Sequence, residues 1–113
     1  MNKPQASELN LMHATLCQAI ADPTRIALIY ELGEGPKHVN EMVDALDLPQ
    51  ATVSRHLKIL RERSLVTTRR EGSYVYYELA DTRVLEALEI MRTILSDVLT
   101  RQQSLTQAIS KNQ

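Results

Sequence analysis

The sequence predicts a mainly α-helical chain with a small β-hairpin, a winged helix-turn-helix of about five helices and two main strands, on three observations. KHVNEMVDAL and QATVSRHLKILRERSLV are two apolar-periodic segments separated only by Asp47-Leu48-Pro49. In the second segment Val53, Leu57 and Leu60 recur at helical spacing while Ala51, Ser54, Arg55 and Lys58 fall on the opposite side, so one face is core and the other is small, polar and basic. The following TTRREGSYVYYEL is β-branched and aromatic around Glu71-Gly72-Ser73, which reads as two strands and a tight turn. A short helix, a turn, a two-faced helix and a hairpin are the parts with which this fold lays a helix in the major groove of duplex DNA.

The remaining elements follow in order. Residues 1–7 are polar with a proline and predict a disordered N-terminus. A single domain over 8–100 opens at Glu8 with an amphipathic first helix carrying Leu9, Met12, Leu16, Cys17 and Ile20. Asp22-Pro23 is a helix start, because Asp22 can cap free amides and Pro23 at the first helical position has no amide to lose. That second helix carries Ile26, Ile29 and Tyr30 on its apolar rows and stops at Gly33-Glu34-Gly35-Pro36. Val39, Met42, Val43 and Leu46 are the buried row of the third helix; the fourth is the two-faced segment, and Val66–Arg70 and Tyr74–Leu79 are the strands. Asp81-Thr82 caps the last helix, whose Val84, Leu85, Leu88, Ile90, Met91, Ile94, Leu95, Val98 and Leu99 form a wider apolar side than one small core needs. Residues 101–113 turn polar and predict a fraying helix or tail.

Composition narrows the function classes. The 113 residues, 43% hydrophobic, suit one domain, and dimerisation would help so small a core. No apolar run spans a bilayer and no leader is apparent, which predicts a soluble, cytoplasmic protein. The lone Cys17 forms no internal disulfide. Net charge is −1, but residues 50–74 carry Arg55, Lys58, Arg61, Arg63, Arg69 and Arg70 against only Glu62 and Glu71, whereas residues 1–49 are acidic. A phosphate backbone responds to that local field. There is no glycine-rich phosphate loop, no catalytic triad spacing and no paired His/Cys ligand set, so neither an enzyme nor a cofactor is expected. A winged helix that binds protein instead would show an apolar recognition face with few cations.

Ser54-Arg55-His56-Leu57-Lys58, then Leu60-Arg61-Glu62, Leu65-Val66 and the run Arg70-Glu71-Gly72-Ser73-Tyr74-Val75-Tyr76-Tyr77 resemble the ArsR/SmtB family of dimeric bacterial transcriptional repressors, with Ala21-Asp22-Pro23-Thr24-Arg25 at the entry to that family's second helix. The resemblance covers Leu9 to Leu99 and implies a repressor that binds DNA as a homodimer. It departs from the family at Asp47 and Ser64, where glycine is usual, and at Pro49, where a capping serine is usual. A left-handed serine at Ser64 has a conformational cost, so that junction is open to a different construction. Metal-sensing members use Cys-x-Cys on the third helix or an Asp/His set on the last. Here those positions hold His38 and Asn40, and Asp81, Arg83, Ile94 and Asp97, so neither site is expected to survive.

The expected DNA contacts are Gln50, Ser54 and Arg55 toward base edges, Thr52 and Lys58 toward phosphates, and Arg69, Arg70, Ser73 and Tyr74 on the wing. His56 either touches phosphate or packs beside the wing. Leu9, Met12, Leu16, Leu88, Met91, Leu95 and Val98 are the expected dimer interface. His38 with Glu41 reads as a solvated pair, and His13 as a surface or interface residue. Cys17, in the apolar row of the first helix, is a small hydrophobe or, in a minor alternative, the sensor of a thiol-responsive repressor.

Overall fold

The chain falls into two units, Met1–Thr82 and Arg83–Gln113, and the structure, a computed structural model, describes residues 1–111. The first unit holds α1 (Ala6–Met12), a π-helical turn (His13–Cys17), α2 (Pro23–Gly33), β1 (Lys37–His38), α3 (Val39–Leu46), α4 (Gln50–Glu62), β2 (Val66–Glu71) and β3 (Tyr74–Leu79). The second is α5 (Arg83–Lys111). The segment expected as a fraying helix or tail over 101–113 is helical as far as Lys111, and residues 112–113 of it lie outside the described residues.

Helix α2 starts as Asp22-Pro23 dictates: Asp22 Oδ1 accepts from the amides of Thr24 (2.8 Å) and Arg25 (3.3 Å). Its buried row is Leu28, Ile29 and Leu32, with Ile26 and Tyr30 only half-buried, a rotation of the expected face by part of a turn. Met42 is the one residue of α3 that is fully buried. It meets Val53, Leu57 and Leu60 of α4 in a core with Leu28 and Ile29, none of them exposed at all. Each such side chain contributes about 1.5–3 kcal/mol through removal of apolar surface from water.

The helix-turn-helix geometry is set by two left-handed residues. Asp47 closes α3 at φ 51°. Ser64 follows α4 at φ 63°, with its amide donating to Arg61 O (3.0 Å) and the Leu65 amide to Leu60 O (3.0 Å). This is the Schellman closure that a glycine ordinarily supplies, so the junction is not built differently; the serine adopts the same conformation. Leu65 and Leu60, the apolar pair of that motif, are both buried.

The sheet holds the two expected strands of the hairpin and a short third one, in the antiparallel order β1-β3-β2. Strand β1 is two residues long, too short to leave a period in the sequence. At the tip Glu71 pairs with Tyr74, and of the two residues between them only Gly72 has positive φ (60°), the requirement of a type II′ hairpin.

In the second unit α5 runs unbroken, and Ile90, Met91, Ile94, Leu95, Leu99, Leu105 and Ile109 are each at least half exposed.

Candidate nucleic-acid interface

Helix α4 has a finished inner face and an open outer one. Val53, His56, Leu57 and Leu60 are buried, while Gln50, Ser54, Arg55 and Lys58 are exposed and Thr52 is half-buried. Gln50, Ser54 and Lys58 stand one turn apart along a single stripe, with Arg55 beside it. Among the described residues Arg55 and Lys58 have no hydrogen-bond or ion-pair partner of their side chains, so both cations are free for an external anion. Pro49 at the N-cap (φ −59°, ψ 143°) offers no capping hydroxyl.

His56 is a correction. It is 7% exposed, on the core face, with Nδ1 3.2 Å from Arg25 Nη1 and 3.9 Å from Asp22 Oδ1. Its spacing of three from Val53 and four from Leu60 puts it on the apolar row, where it faces Arg25 and Asp22 of the α2 start and not the exposed stripe of α4. Partial burial pushes the Asp22 carboxyl up, but the amides of Arg25 and Thr24, with His56 and Arg25 beside it, outweigh that and hold it below the usual carboxylate range.

The wing divides its two arginines. Alternation along β2 and the pairing of Arg69 with Tyr76 and Arg70 with Val75 set them on opposite faces of the ribbon. Arg69 is engaged within the wing: it is ion-paired with Glu71, lies 4.0 Å from Glu78 Oε2, and sits 5.6 Å from the centre of the Tyr76 ring. Arg70 is exposed and, among the described residues, unpartnered. Ser73 and Tyr74 at the tip are exposed as well.

His38 is not the solvated partner of Glu41 alone. Because β1 pairs His38 with Tyr76, its ring stacks on Tyr74 (4.7 Å between centres, 21° between planes) and meets Tyr76 edge-on at 5.6 Å. Glu41 Oε1 lies 3.3 Å from His38 Nε2 and accepts from the His38 amide at 3.1 Å. The junction of β1 and α3 is thereby joined to β3 of the wing as far as Tyr74 at its tip. Next to it Lys37 Nζ lies 2.7 Å from Glu31 and 3.5 Å from Glu34, and the hydrogen bond it donates to Glu31 leads the effects that raise the Lys37 ammonium above its ordinary range.

Of the residues expected at a dimer interface, Leu9, Met12, Leu16, Met91 and Leu95 are exposed, Val98 is half-buried and Leu88 is buried in the single chain. Cys17 is exposed in the single chain, as are Leu9, Met12 and Leu16 of the apolar row in which the sequence places it. Among the described residues no three His, Cys, Asp or Glu side chains gather as a metal-ligand group, and no helix is long and apolar enough to cross a membrane.

Residues 22–68, which run from the cap of α2 into β2, match the bacterial regulatory protein arsR family. The HTH-type transcriptional repressor SmtB of Mycobacterium tuberculosis is 50% identical over 66 residues, 58% of this chain and 49% of that protein, so the match spans about half the length of that relative. An uncharacterized HTH-type transcriptional regulator of Methanocaldococcus jannaschii, MJ1325, is 37% identical over 69% of this chain and 89% of its own. Among solved structures, the homodimeric winged helix-turn-helix DNA-binding domain of Mb0332 from Mycobacterium bovis superposes with a TM-score of 0.71 at 25% identity, covering 86% of this chain and 92% of that one.

Proposed function

Because the chain belongs to the arsR family of bacterial regulatory proteins, we propose that it is a cytoplasmic, homodimeric transcriptional repressor that reads duplex DNA with α4 and holds the flanking backbone with the wing. The observation that carries this reading is the outer face of α4, where Arg55 and Lys58 stand exposed and unpaired beside Ser54 and Gln50 on a helix whose other face is core. Gln50, Ser54 and Arg55 are assigned to base edges, Thr52 and Lys58 to phosphates, and Arg70, Ser73 and Tyr74 to the flanking backbone or minor groove. Arg69 contributes by stiffening the ribbon, since its charge is matched by Glu71 and Glu78. Exposed Leu9, Met12 and Leu16 on the first helix and Met91 and Leu95 on α5 supply apolar surface for a second copy.

Arg55→Ala is expected to cost about 1–3 kcal/mol in operator affinity and to relax one base position, whereas Lys58→Ala lowers affinity for all sequences and flattens the salt dependence. Anisotropy titrations of selected duplexes at several salt concentrations measure both. Binding that is independent of salt, or unchanged in both variants, rejects the assignment and favours a protein-binding winged helix.

The reading includes no response to zinc, cadmium or arsenite at either family site, since the chain has one thiol and places Arg83 and Ile94 where imidazoles would be needed. The exposure of Cys17 favours a second version in which release from DNA follows thiol modification. Operator binding titrated with each metal, and with a peroxide or polysulfide, in wild type and Cys17→Ser separates them. Metal-driven release that persists in Cys17→Ser overturns the first statement, and oxidant-driven release lost in Cys17→Ser establishes the second.

A further inference from the structure

The first helix is attached to its own unit in an unusual way. Neither α1 nor the π-helical turn buries a single side chain; Ala19, just past them, is the first buried residue of the sequence. Just past this segment, between the Gln18–Ala21 connection with the start of α2 and the end of α4, lies an open cleft of about 370 Å³ lined by Gln18, Ala21, Arg25, Ile59, Glu62 and Arg63. Apolar packing therefore does little to fix the first helix against the recognition helix. What crosses the cleft is two arginines.

Arg63, at the C-cap of α4, donates from Nη1 to the carbonyl of Ala14. That carbonyl is available because of the π turn: the Gln18 amide donates to His13 O (2.9 Å), one residue further back than in an α-helix, and so passes Ala14 O over. Arg25, on α2, donates from Nε to Ala19 O (2.6 Å) and from Nη2 to Gln18 O (2.9 Å), and its Nη1 lies 3.2 Å from Nδ1 of buried His56 in the middle of α4. Two guanidinium groups thus cap carbonyls at the end of the first helix, those of Ala14 and Ala19 and, shared with the Ala21 amide (3.3 Å), that of Gln18, which is where a helix dipole favours cations. Both are tied to α4, one at its middle and one at its end. A planar guanidinium holding fixed carbonyls constrains direction as well as distance, which a flexible ammonium does not.

We propose that Arg25 and Arg63 are positioning residues that fix the recognition helix against the first helix, so that pairing of two chains through the first helix sets the separation of the two recognition helices on DNA. This rests on the dimeric DNA-binding reading above; two recognition helices related by a two-fold axis meet half-sites about one helical turn apart. Neither arginine belongs to the assigned DNA contacts or to the apolar dimer surface. Loss of their bonds should therefore leave half-site recognition and dimerisation in place and blur the spacing between half-sites.

The test uses the full chain and inverted-repeat duplexes carrying the half-site it selects, with the spacing varied by up to about two base pairs either way. Wild type is expected to lose about tenfold or more in affinity away from its best spacing. Arg63→Met, which keeps the apolar stem, should select the same half-site and dimerise with the same constant by ultracentrifugation while its spacing preference falls below about threefold; Arg63→Lys, which keeps a donor for Ala14 O, should recover part of it. A spacing preference in Arg63→Met as sharp as in wild type overturns the proposal. Should Arg63→Met lose its helical signal, Arg63→Gln takes its place and the same two results decide. A wild type with no affinity for any duplex brings down the DNA-binding reading itself, and the proposal with it, and is distinguished by appearing before any variant is made.

Discussion

Helices α4 and α5 are both amphipathic, yet they leave their apolar residues in opposite conditions. In α4 Val53, Leu57 and Leu60 are wholly inaccessible and the exposed face is polar and cationic. In α5 Met91, Ile94, Leu95 and Leu99 remain 50–56% exposed, and Leu105 and Ile109 more so. The core under α4 is thus completed within one chain, whereas the apolar side of α5 has not reached the burial its composition calls for. In the function proposed above, an exposed apolar side of that extent would be covered by a second copy, and the cationic face would meet a polyanion.

The sharpest way to break this contrast is to damage each apolar face in turn. Leu57→Ala removes a fully buried side chain from the closed core and is expected to destabilise the fold by about 2–5 kcal/mol, by an amount independent of protein concentration, as measured by urea unfolding at two concentrations. Leu95→Asp places a charge where the second copy is expected. The result should be a monomer, or a chain whose unfolding midpoint no longer rises with concentration. Sedimentation equilibrium at micromolar concentration checks it, and a dimer as stable as wild type would reverse the contrast between the two helices.

What the sequence made legible follows the same division. The inner and outer faces of α4, the Asp22-Pro23 start and the glycine at the hairpin tip are local patterns with one physical solution each, and they are found where the residues put them. Even the unusual Ser64 obeys the backbone demand of its position. The features that escaped depend on acceptors and partners distant in the chain. Strand β1 is defined by pairing with Tyr76 and Tyr77, not by a pattern of its own. The π turn depends on a shift of one hydrogen bond. For His56 the position after Arg55 leaves contact with phosphate or packing beside the wing open, whereas its place between Val53 and Leu60 is the signal of the buried row in which it lies. Arg25 and Arg63 bind main-chain carbonyls, which have no residue type and so leave no trace in sequence. In the wing, alternation along β2 could have separated Arg69 from Arg70 in advance; only the pairing with Glu71 required coordinates.

The smallest expected effect tests whether α2, on which Arg25 is mounted, owes its start to a charge or only to a hydrogen-bond acceptor. Asp22→Ala removes the cap of Thr24 and Arg25 and is expected to cost about 0.5–2 kcal/mol. Asp22→Asn keeps a side-chain oxygen for the amides and should cost less at neutral pH. The two differ in acid. The folded Asp22 carboxyl lies below its ordinary value of 3.8, so its contribution is fully present above that value and is lost as pH falls through the folded pKa. Below about pH 4, then, the advantage of wild type over Asp22→Asn should shrink as the carboxylate protonates, while the cost of Asp22→Ala relative to Asp22→Asn changes little. Urea midpoints of the three proteins measured from neutral pH down to about pH 3 decide the matter. A wild-type advantage over Asp22→Asn that does not diminish in acid would mean that the carboxylate charge beside His56 and Arg25 contributes nothing, and that the cap acts by hydrogen bonding alone.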